Sequence, residues 1–592
     1  MRYLLVFCLL FFSIFTNAQQ KYYLNINAAD KDTGFLTKNF SYEKEFSDSI
    51  SRTGELKKLL THLYDKGYLE AAYAFIGRDS SRVSYNLFVG PQWQWAQLSN
   101  GNIEGVILDR VGFREKLYIR KPFNIAQING LLDKLLSYCE NNGYPFASVY
   151  LDSFKIDQNQ LSARIFLTKN KLITIDSIKL KGDVNISYRY LANYLGFRLP
   201  SIYHEDLVKK SAVRLKELPF LTEEKPAQIL FQDRYASILL HLKKKNASNF
   251  DFVLGVLPNS NTTGKLLITG DGRMNLINPF GKGESLNLRF NQLQSRTTEM
   301  RLQGSYPYIL NMPFGIDASF DLYKNDTLYL EVKEQIGIQY LFTGVNYVKV
   351  YFRNTGNSIL SVDTLSILQT KQLPSYVAFN TNFYGVEYQF ERLDYRINPQ
   401  RGVAMLFSGE AGNRRVKKDP RIMQLQDPFQ PEFNFNSLYD SVDLNEKQFR
   451  VTGSIDKYWR LTGRSSIKSS YHIGAIISNS IFENELYHIG GFRFLRGFDE
   501  QSIFASQYHV ATLEYHYFLS LNSFAYLFFD AGYVENTALV PHTYDAPLGF
   551  GAGLNFETKA GVFGISYALG RQKDNPVEFR SAKIHFGYIN YF

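Results

Sequence analysis

The second half of the chain is constrained most strongly by an alternation of apolar and polar residues that runs from Asn249 to Phe592. In SLNLRFNQ, for example, Leu286, Leu288 and Phe290 alternate with polar neighbours. Successive side chains of a β-strand point to opposite faces, so each such segment has one apolar and one polar face. About sixteen segments of this kind follow one another. The pattern therefore predicts an all-β second half, either a soluble sandwich or a barrel in a membrane.

The length of these segments favours the membrane barrel over the sandwich. Many exceed the ~9–11 residues that a tilted strand needs to cross a bilayer, whereas strands of soluble proteins average ~5–6 residues. A closed barrel also satisfies every backbone hydrogen-bonding group inside lipid. The 41 Tyr and 48 Phe, against only 3 Trp, are typical of the aromatic girdles of outer-membrane barrels. We therefore expect a barrel of about 16 antiparallel strands over residues 249–592, with long extracellular loops at 354–375, 416–446 and 480–508.

The N-terminus predicts that the chain is exported. Arg2 is followed by the apolar run YLLVFCLLFFSIF and by TNA, a small-residue cleavage site, so residues 1–18 have the pattern of a secretory signal peptide. After cleavage only Cys139 remains, which excludes an intramolecular disulfide. No other stretch reaches the roughly 18 consecutive apolar residues of a membrane helix.

An internal repeat organises the first half of the chain. LLTHLYDKGYLEAAY at residues 59–73 aligns without a gap with LLSYCENNGYPFASV at residues 135–149. In each copy a helix is predicted to end at a glycine, Gly67 or Gly143, before a strand begins. In both copies, a segment of alternating apolar and polar residues, predicted to be a strand, follows. The repeat unit is therefore a helix and two strands, which indicates tandem modules.

A third unit completes the predicted N-terminal arm. Residues 173–248 contain a predicted strand, two helical segments and two further strands, in the order β-α-α-β-β. This order and the repeated Gly-Tyr-x-x-Ala step resemble the polypeptide-transport-associated (POTRA) domain, and generic α+β modules with a shared turn are the alternative. We therefore expect three POTRA-like units, at residues 19–92, 93–172 and 173–248, in front of the barrel.

Composition and motifs argue against nucleic-acid binding and against catalysis. The formal charge of +10 comes from 66 basic residues that are scattered, and the densest cluster, Lys243-Lys244-Lys245, is short. The sequence contains no H-E-x-x-H, G-x-S-x-G or P-loop motif and no paired cysteines. Its nine histidines form no ligand cluster. We therefore expect no enzymatic activity, no cofactor, no bound metal and no nucleic-acid partner.

Arg496 is the most unusual charged residue of the second half, because it lies among glycines and aromatics in GGFRFLRGFDE. Arginine is expensive to bury unless a carboxylate pairs with it. In the next strand, HVATLEYHYFL, the alternation places Glu514 on the lumenal face, and in SFAYLFFDAGYV it places Asp530 there. We expect the loop around Arg496 to fold back into the barrel, where its guanidinium can engage these carboxylates bidentately.

These residues resemble two motifs of the BamA/TamA superfamily of outer-membrane assembly and translocation barrels. The loop motif (V/I/L)-R-G-(F/Y) is matched by Leu495, Arg496, Gly497 and Phe498, and the strand motif F-x-D-x-G by Phe528, Asp530 and Gly532. Glu514 occupies the position of the family's other lumenal acid. The resemblance implies that Arg496 holds the lumenal loop against the barrel wall, which is a structural role and not a catalytic one.

The C-terminus resembles the signal strand by which outer-membrane barrels are recognised for insertion. KIHFGYINYF ends on Phe592 and contains Gly587 and Tyr588, although Asn590 stands where an aromatic residue is usual. We expect this strand to close the barrel against the first strand, near residues 250–257. Gly587 would weaken that seam locally, as glycine does inside strands.

The resemblance implies a function in the outer membrane, with the POTRA-like units in the periplasm and a layout closest to TamA. Unfolded outer-membrane or secreted proteins are the implied clients, the lipid bilayer is a partner, and periplasmic chaperones or accessory lipoproteins are further candidates. A client strand would pair with an exposed POTRA strand edge and enter the membrane through the opened seam. A dedicated two-partner-type secretion transporter and a passive porin are the alternatives.

Overall fold

The computed structural model describes residues 21–32, 34–79, 81–257, 267–292, 297–342, 345–396, 398–492, 494–538, 541–558, 560–573 and 577–591. The predicted signal peptide at residues 1–18 and the terminal Phe592 lie outside these residues, so both stay predictions. No helix in the described chain is long and apolar enough to cross a membrane. Two compact units can be distinguished: one holds the chain up to residue 176 with segments 200–206 and 231–236, and the other holds 177–199, 207–230 and 237 onward.

The second half forms a closed antiparallel barrel of sixteen long strands, which confirms the predicted fold. Successive strands pair along the sequence, and the last strand pairs with the first, from Asn249 opposite Tyr591 to Val256 opposite Ile584. A three-residue strand, Thr543–Asp545, extends the thirteenth strand's pairing. The sixteen strands are, in order, Asn249–Leu257, Leu267–Ile277, Ser285–Gln292, Thr298–Tyr306, Phe314–Asn325, Tyr329–Leu341, Tyr347–Ile359, Ala378–Leu393, Gly402–Lys417, Asn445–Arg460, Ser465–Ile477, Gln507–Phe518, Phe524–Asn536, Leu548–Thr558, Gly561–Arg571 and Lys583–Tyr591.

The alternation along each strand separates a lipid-facing side from a lumenal side. In the twelfth strand, Leu513 and Tyr515 are exposed on the outside of the barrel, whereas Glu514 and His516 are buried on the inside. A lipid-facing surface has to be apolar, while polar groups are tolerated where they pair with one another or meet water in the lumen. The sequence pattern and the fold therefore express the same constraint.

Three long loops leave the same end of the barrel, and their ends lie two to six residues from the predicted ends. The seventh strand continues to Ile359 and the eighth begins at Ala378, so the first of these loops spans 360–377. The other two loops span 418–444 and 478–506. The largest difference, at the start of the first loop, arises because the polar stretch NTGNSI does not alternate, although backbone pairing continues through it.

Three small sheets with flanking helices make up the N-terminal half, which confirms its α+β character, and each sheet arranges its three main strands in the order first, third, second. The first sheet comprises Tyr22–Ala28, Arg82–Phe88 and Ala72–Arg78 with the short Glu45–Phe46, the second Gln94–Asn100, Gln160–Thr168 and Ser148–Asp157, and the third Thr174–Gly182, Tyr235–Lys244 and Leu221–Gln232 with the short Ser201–Ile202. The α-helices are Phe35–Asn39, Ser49–Asp65, Gly105–Val111, Ile125–Glu140, Tyr188–Leu195 and Glu205–Glu217, with Thr364–Thr370 and Pro420–Met423 in the barrel loops. One-turn 3-10 helices occur at Glu115–Leu117, Ile309–Asn311, Phe435–Tyr439, Glu483–Glu485 and Phe579–Ser581.

The two copies of the sequence repeat adopt the same turn after their long helices. Gly67 and Gly143 have φ of +90° and +92°, a left-handed conformation that favours glycine. The next residue's N–H bonds back to the last helical turn in both, from Tyr68 to the Leu63 carbonyl at 3.0 Å and from Tyr144 to the Cys139 carbonyl at 2.9 Å. Cys139 is 1% exposed, and burial raises the pKa of its thiol, so it is a core residue without a disulfide partner.

The third sheet's first helix, Tyr188–Leu195, packs against the turns at the end of the barrel opposite the long loops. The Tyr190 and Tyr308 rings lie 5.7 Å apart, and the Ser187 N–H donates to the Gly281 carbonyl at 2.6 Å. Gly283 lies so close to the Tyr190 ring that a Cβ there would come within 1.9 Å of it. The start of the barrel is therefore held to this helix by specific contacts.

Candidate functional site in the barrel lumen

The loop at 478–506 folds back into the lumen as a small hairpin. Its strands, Tyr487–Ile489 and Ile503–Ala505, pair with each other antiparallel. Leu495, at 1% exposure, packs in a cluster with Val510 and Val534, which lie on the inner faces of the twelfth and thirteenth strands. The loop therefore has its own apolar contact with the barrel wall, as the position of Arg496 in the sequence required.

Arg496 is held by two carboxylates of the wall. Its Nε donates to Asp530 Oδ2 at 2.9 Å and its Nη2 to Asp530 Oδ1 at 2.7 Å, a bidentate pair, and its backbone N–H donates to the same Oδ2 at 2.9 Å. The Nη1 atom lies 2.8 Å from Glu514 Oε1. The guanidinium also stacks 3.7 Å above the Phe528 ring. Asp530, Glu514 and Phe528, all three named in the sequence analysis, therefore contact Arg496 directly.

Each of the two carboxylates is also held in place by a neighbour on the twelfth strand. Asp530, which is 0% exposed, also accepts a bond from the Thr512 hydroxyl at 2.8 Å. Glu514 accepts a bond from His516 Nε2 at 2.7 Å. Because removing one partner of a buried ion pair leaves an uncompensated charge, disruption of this cluster costs ~3–5 kcal/mol. The cluster can therefore fix the loop firmly against the barrel wall.

Glycines allow the backbone of the loop to lie directly on the wall. Gly497 has φ of +94°, and a Cβ there would come within 2.4 Å of the Leu569 carbonyl oxygen. On the facing strand, a Cβ at Gly549 would come within 2.0 Å of the Arg496 carbonyl oxygen. Phe498 is buried at the same contact. Gly532 leaves room for Leu495, whose Cδ2 atom would lie 3.5 Å from a Cβ added at Gly532. Both motifs therefore provide close packing as well as charge.

The seam residues singled out by the sequence lie apart from this cluster. Gly587 pairs with Val253 across the seam and with Gly564 on the other side. Tyr588 donates its hydroxyl to the Ala560 carbonyl at 2.6 Å, and its ring lies 5.6 Å from that of Phe252 across the seam. The weakening effect of Gly587 and the signal role of the C-terminal strand stay predictions.

A second buried cluster, which the sequence analysis missed, fixes the stem of the same loop. Arg414 is 0% exposed, with Nη2 2.6 Å from Glu446 Oε2 and Nη1 2.7 Å from Glu485 Oε2. It also donates to the Ser480 carbonyl at 2.9 Å. Glu446 and Glu485 lie in stretches predicted as loops, where alternation does not indicate which way a side chain points. Only the need of an inward-facing arginine for acidic partners could have indicated this contact.

The remaining lumen holds a polar cavity of about 280 Å³ beside the hairpin. Charged side chains from the wall line much of it, among them Glu299, Arg301, Glu331, Lys333 and Arg450. No group of His, Cys, Asp or Glu within the described residues is arranged to hold a metal ion. The cavity can hold water and polar chain segments.

Comparison with known proteins matches residues 278–588 to the Omp85 superfamily domain. CdiB from Escherichia coli has a similar fold, with a TM-score of 0.51 at 12% identity, and CdiB from Acinetobacter baumannii has a TM-score of 0.50 at 14% identity. Both matches cover 92% of this chain and 98% of the other. BamA from Haemophilus ducreyi lacking POTRA domains 1–3 matches at a TM-score of 0.45 and 15% identity, over 84% of this chain and all of that one. No curated protein matches significantly. The chain belongs to the Omp85 superfamily, and its sixteen-stranded barrel is an outer-membrane barrel of that superfamily.

Proposed function

We propose that this protein inserts or exports unfolded client proteins at the outer membrane, receiving them on its N-terminal arm and passing them through the seam of its barrel. The observation that carries the proposal is the length of the closing strands. The first and last strands have nine residues each, Asn249–Leu257 and Lys583–Tyr591, whereas the eighth to tenth have sixteen each. Fewer backbone hydrogen bonds hold a shorter pair of strands, so the pairings near the chain ends, including those of the eight-residue third and nine-residue fourth strands, cost less to open than those of the long strands. Among these short pairings, the seam joins strands that are distant in sequence, so it can open without separating the two arms of a hairpin.

The N-terminal sheets offer a place for an extended client to bind. Ser148–Asp157 lies at the edge of the second sheet, and three of its apolar side chains are exposed, Tyr150 at 46%, Phe154 at 56% and Ile156 at 66%. An edge strand has unpaired backbone groups, which bind an incoming strand with little demand on its sequence. We infer that an unfolded barrel protein pairs here before it reaches the seam.

A disulfide across the seam tests the proposal. Leu254 and Phe586 are opposite each other in the register and both face lipid, so Leu254→Cys with Phe586→Cys, in a Cys139→Ser background, would lock the seam on oxidation. The control places the same kind of disulfide between the long eighth and ninth strands, at Tyr384→Cys with Ala411→Cys. In liposomes, we expect oxidation to abolish insertion of an unfolded barrel client in the seam variant only, and reduction to restore it. Full activity with a locked seam would contradict the proposal.

A secretion transporter that threads its client through the lumen is the second candidate. The polar cavity of about 280 Å³ beside the hairpin favours it, because its charged lining could contact an extended client chain once the hairpin is displaced. In that case the oxidised seam variant would still export its client. Depleting the protein and quantifying outer-membrane proteins then separates a general assembly factor, which would lose many barrels, from a dedicated transporter, which would lose one or a few surface proteins.

A further inference from the structure

The tip of the lumenal loop, which comprises Phe492 and residues 494–501, contacts the last strand of the barrel. Asp499 Oδ1 lies 2.5 Å from Lys583 Nζ, and both side chains are largely buried, at 20% and 10% exposure. The Phe492 ring lies 5.1 Å from the ring of His585, two residues further along the strand. With the Arg496 cluster on the twelfth and thirteenth strands, these contacts attach the loop to the C-terminal side of the seam.

The same loop tip also reaches the N-terminal side of the seam. Gln501 Nε2 donates to Glu299 Oε2 at 2.9 Å, and Glu299 belongs to the fourth strand. A small cavity of about 20 Å³, enough for one water molecule, separates Glu500 and Phe492 from the inner faces of the first three strands. Glu500 also interacts electrostatically with Arg289 of the third strand, and the Gln501 amide adds a directed hydrogen bond to Glu299 on the same side.

The backbone at Gln501 indicates that this contact is held in a specific geometry. Its φ is +54°, a left-handed conformation that residues other than glycine adopt only where their surroundings hold them. Its N–H donates to the Gly490 carbonyl at 3.1 Å, which ties it to the base of the loop tip. The strained position aims the amide across the lumen at Glu299.

We propose that the Gln501–Glu299 hydrogen bond is a clasp across the seam between the first and last strands, and this rests on the seam-opening function proposed above. When the seam opens, the last strand and the loop tip separate together from the first four strands. The Arg496 cluster and the Asp499–Lys583 pair stay intact, since both partners of each lie on one side. The Gln501–Glu299 bond has partners on both sides and has to break.

The position of Glu299 supports this assignment. Its side chain is 13% exposed and lies 4.0 Å from Arg289 of the third strand, so its carboxylate is held on the N-terminal side when the amide leaves. Arg289 in turn pairs with Asp271 of the second strand at 2.7 Å. Opening the clasp therefore leaves the Glu299 carboxylate with a cationic neighbour, and the exchange of its amide partner for water is reversible.

The test measures the width of the seam in the full-length protein without any client. Spin labels at Leu254→Cys and Phe586→Cys, in a Cys139→Ser background, report the distance between the first and last strands on the lipid side. Gln501→Glu is nearly isosteric and sets a second carboxylate against Glu299. We expect a second population, longer by at least one strand spacing, ~5 Å. The swapped pair Gln501→Glu with Glu299→Gln restores a carboxylate–amide bond and should restore the single short distance.

Asp499→Asn is the matched variant, because it breaks a contact of the same loop tip that does not cross the seam. We expect it to leave the distance unchanged. A wild-type distance in Gln501→Glu, or an equal widening in Asp499→Asn, would overturn the clasp. Client insertion is measured in parallel: a widened seam in Gln501→Glu with unaltered insertion would support the clasp and count against insertion through the seam.

Discussion

The seventh to tenth strands and the strands that close the barrel line the same lumen with very different side chains. The former, here called the tall wall, carry buried ion pairs between neighbouring strands, such as Lys349 with Glu387 at 2.8 Å and Arg414 with Glu446 at 2.6 Å. The latter, the fourteenth to sixteenth and the first, here called the short wall, face inward with many glycines. Gly549 and Gly564 are examples.

The difference shows how one barrel can be rigid and still contain a place that opens. Ion pairs between adjacent strands add side-chain bonds to the backbone ladder, and each buried pair is costly to separate. Glycines contribute no such bonds, but they let the lumenal loop approach the backbone of the short wall directly. The short wall is therefore stabilised largely by its contacts with the lumenal loop, whereas the tall wall is stabilised by ion pairs between its own strands.

The largest expected effect comes from Asp530→Asn, which removes the charge that holds Arg496. We expect the free energy that keeps the loop in place to fall by ~3–5 kcal/mol, because the guanidinium stays buried with one carboxylate instead of two. A cysteine at Ala505, which is 0% exposed, reports the change: its labelling by a membrane-impermeant thiol reagent should accelerate ~100-fold or more.

Lys349→Met is the counterpart in the tall wall. Its ammonium lies between Asp317, at 3.1 Å, and Glu387, so its loss leaves two buried carboxylates facing each other. We expect the urea midpoint of barrel unfolding to fall clearly, while the cysteine at Ala505 labels at the wild-type rate. Equal acceleration of labelling in both variants would show that the two walls are not independent.

The acids that hold Arg496 could be predicted from the sequence, because their orientation depends only on neighbouring residues in the same strand. A strand of period two assigns a side to every residue once one apolar residue is known to face lipid, so Glu514 and Asp530 follow from their neighbours. The number of strands and the repeated turn at Gly67 and Gly143 are also local properties, which is why the fold could be predicted from the sequence.

The other loop contacts depend on the path of the 29-residue loop 478–506. Its sequence has no regular alternation from which that path could be predicted. Arg414 meets Glu485, and Gln501 meets Glu299, only because the loop crosses the lumen in one particular way. Similarly, nothing in the sequence distinguishes Gly549 from the other glycines among the 41. Only the structure shows that a glycine is required there, because the Arg496 carbonyl lies against it.

A smaller effect is expected from Gly549→Ala in the short wall. Its Cβ would collide with the Arg496 carbonyl oxygen, so either the loop or the strand has to shift, at ~1–3 kcal/mol. Labelling of the cysteine at Ala505 should accelerate ~10–100-fold. Gly409→Ala, in the tall wall, has no atom within 4 Å of the added Cβ and should leave labelling unchanged. An unchanged rate in Gly549→Ala would contradict the close approach.

The smallest effect, and one of opposite sign, is expected from Gly587→Ala at the seam. The nearest atom to its Cβ would be Val253 Cγ2 at 3.8 Å, an ordinary contact, so alanine fits without strain. Replacing a strand glycine that has room for a side chain should stabilise the pairing by ~0.5–1 kcal/mol and slow client insertion ~2–5-fold. Gly564→Ala, which lies opposite Gly587 in the neighbouring pairing and whose Cβ would come within 2.6 Å of Asn555 Oδ1, should bring no such gain. If Gly587→Ala inserted clients as fast as the wild type, the glycine would not be what makes the short wall easy to open, and the shortness of the strands and the loop clasp would have to account for it.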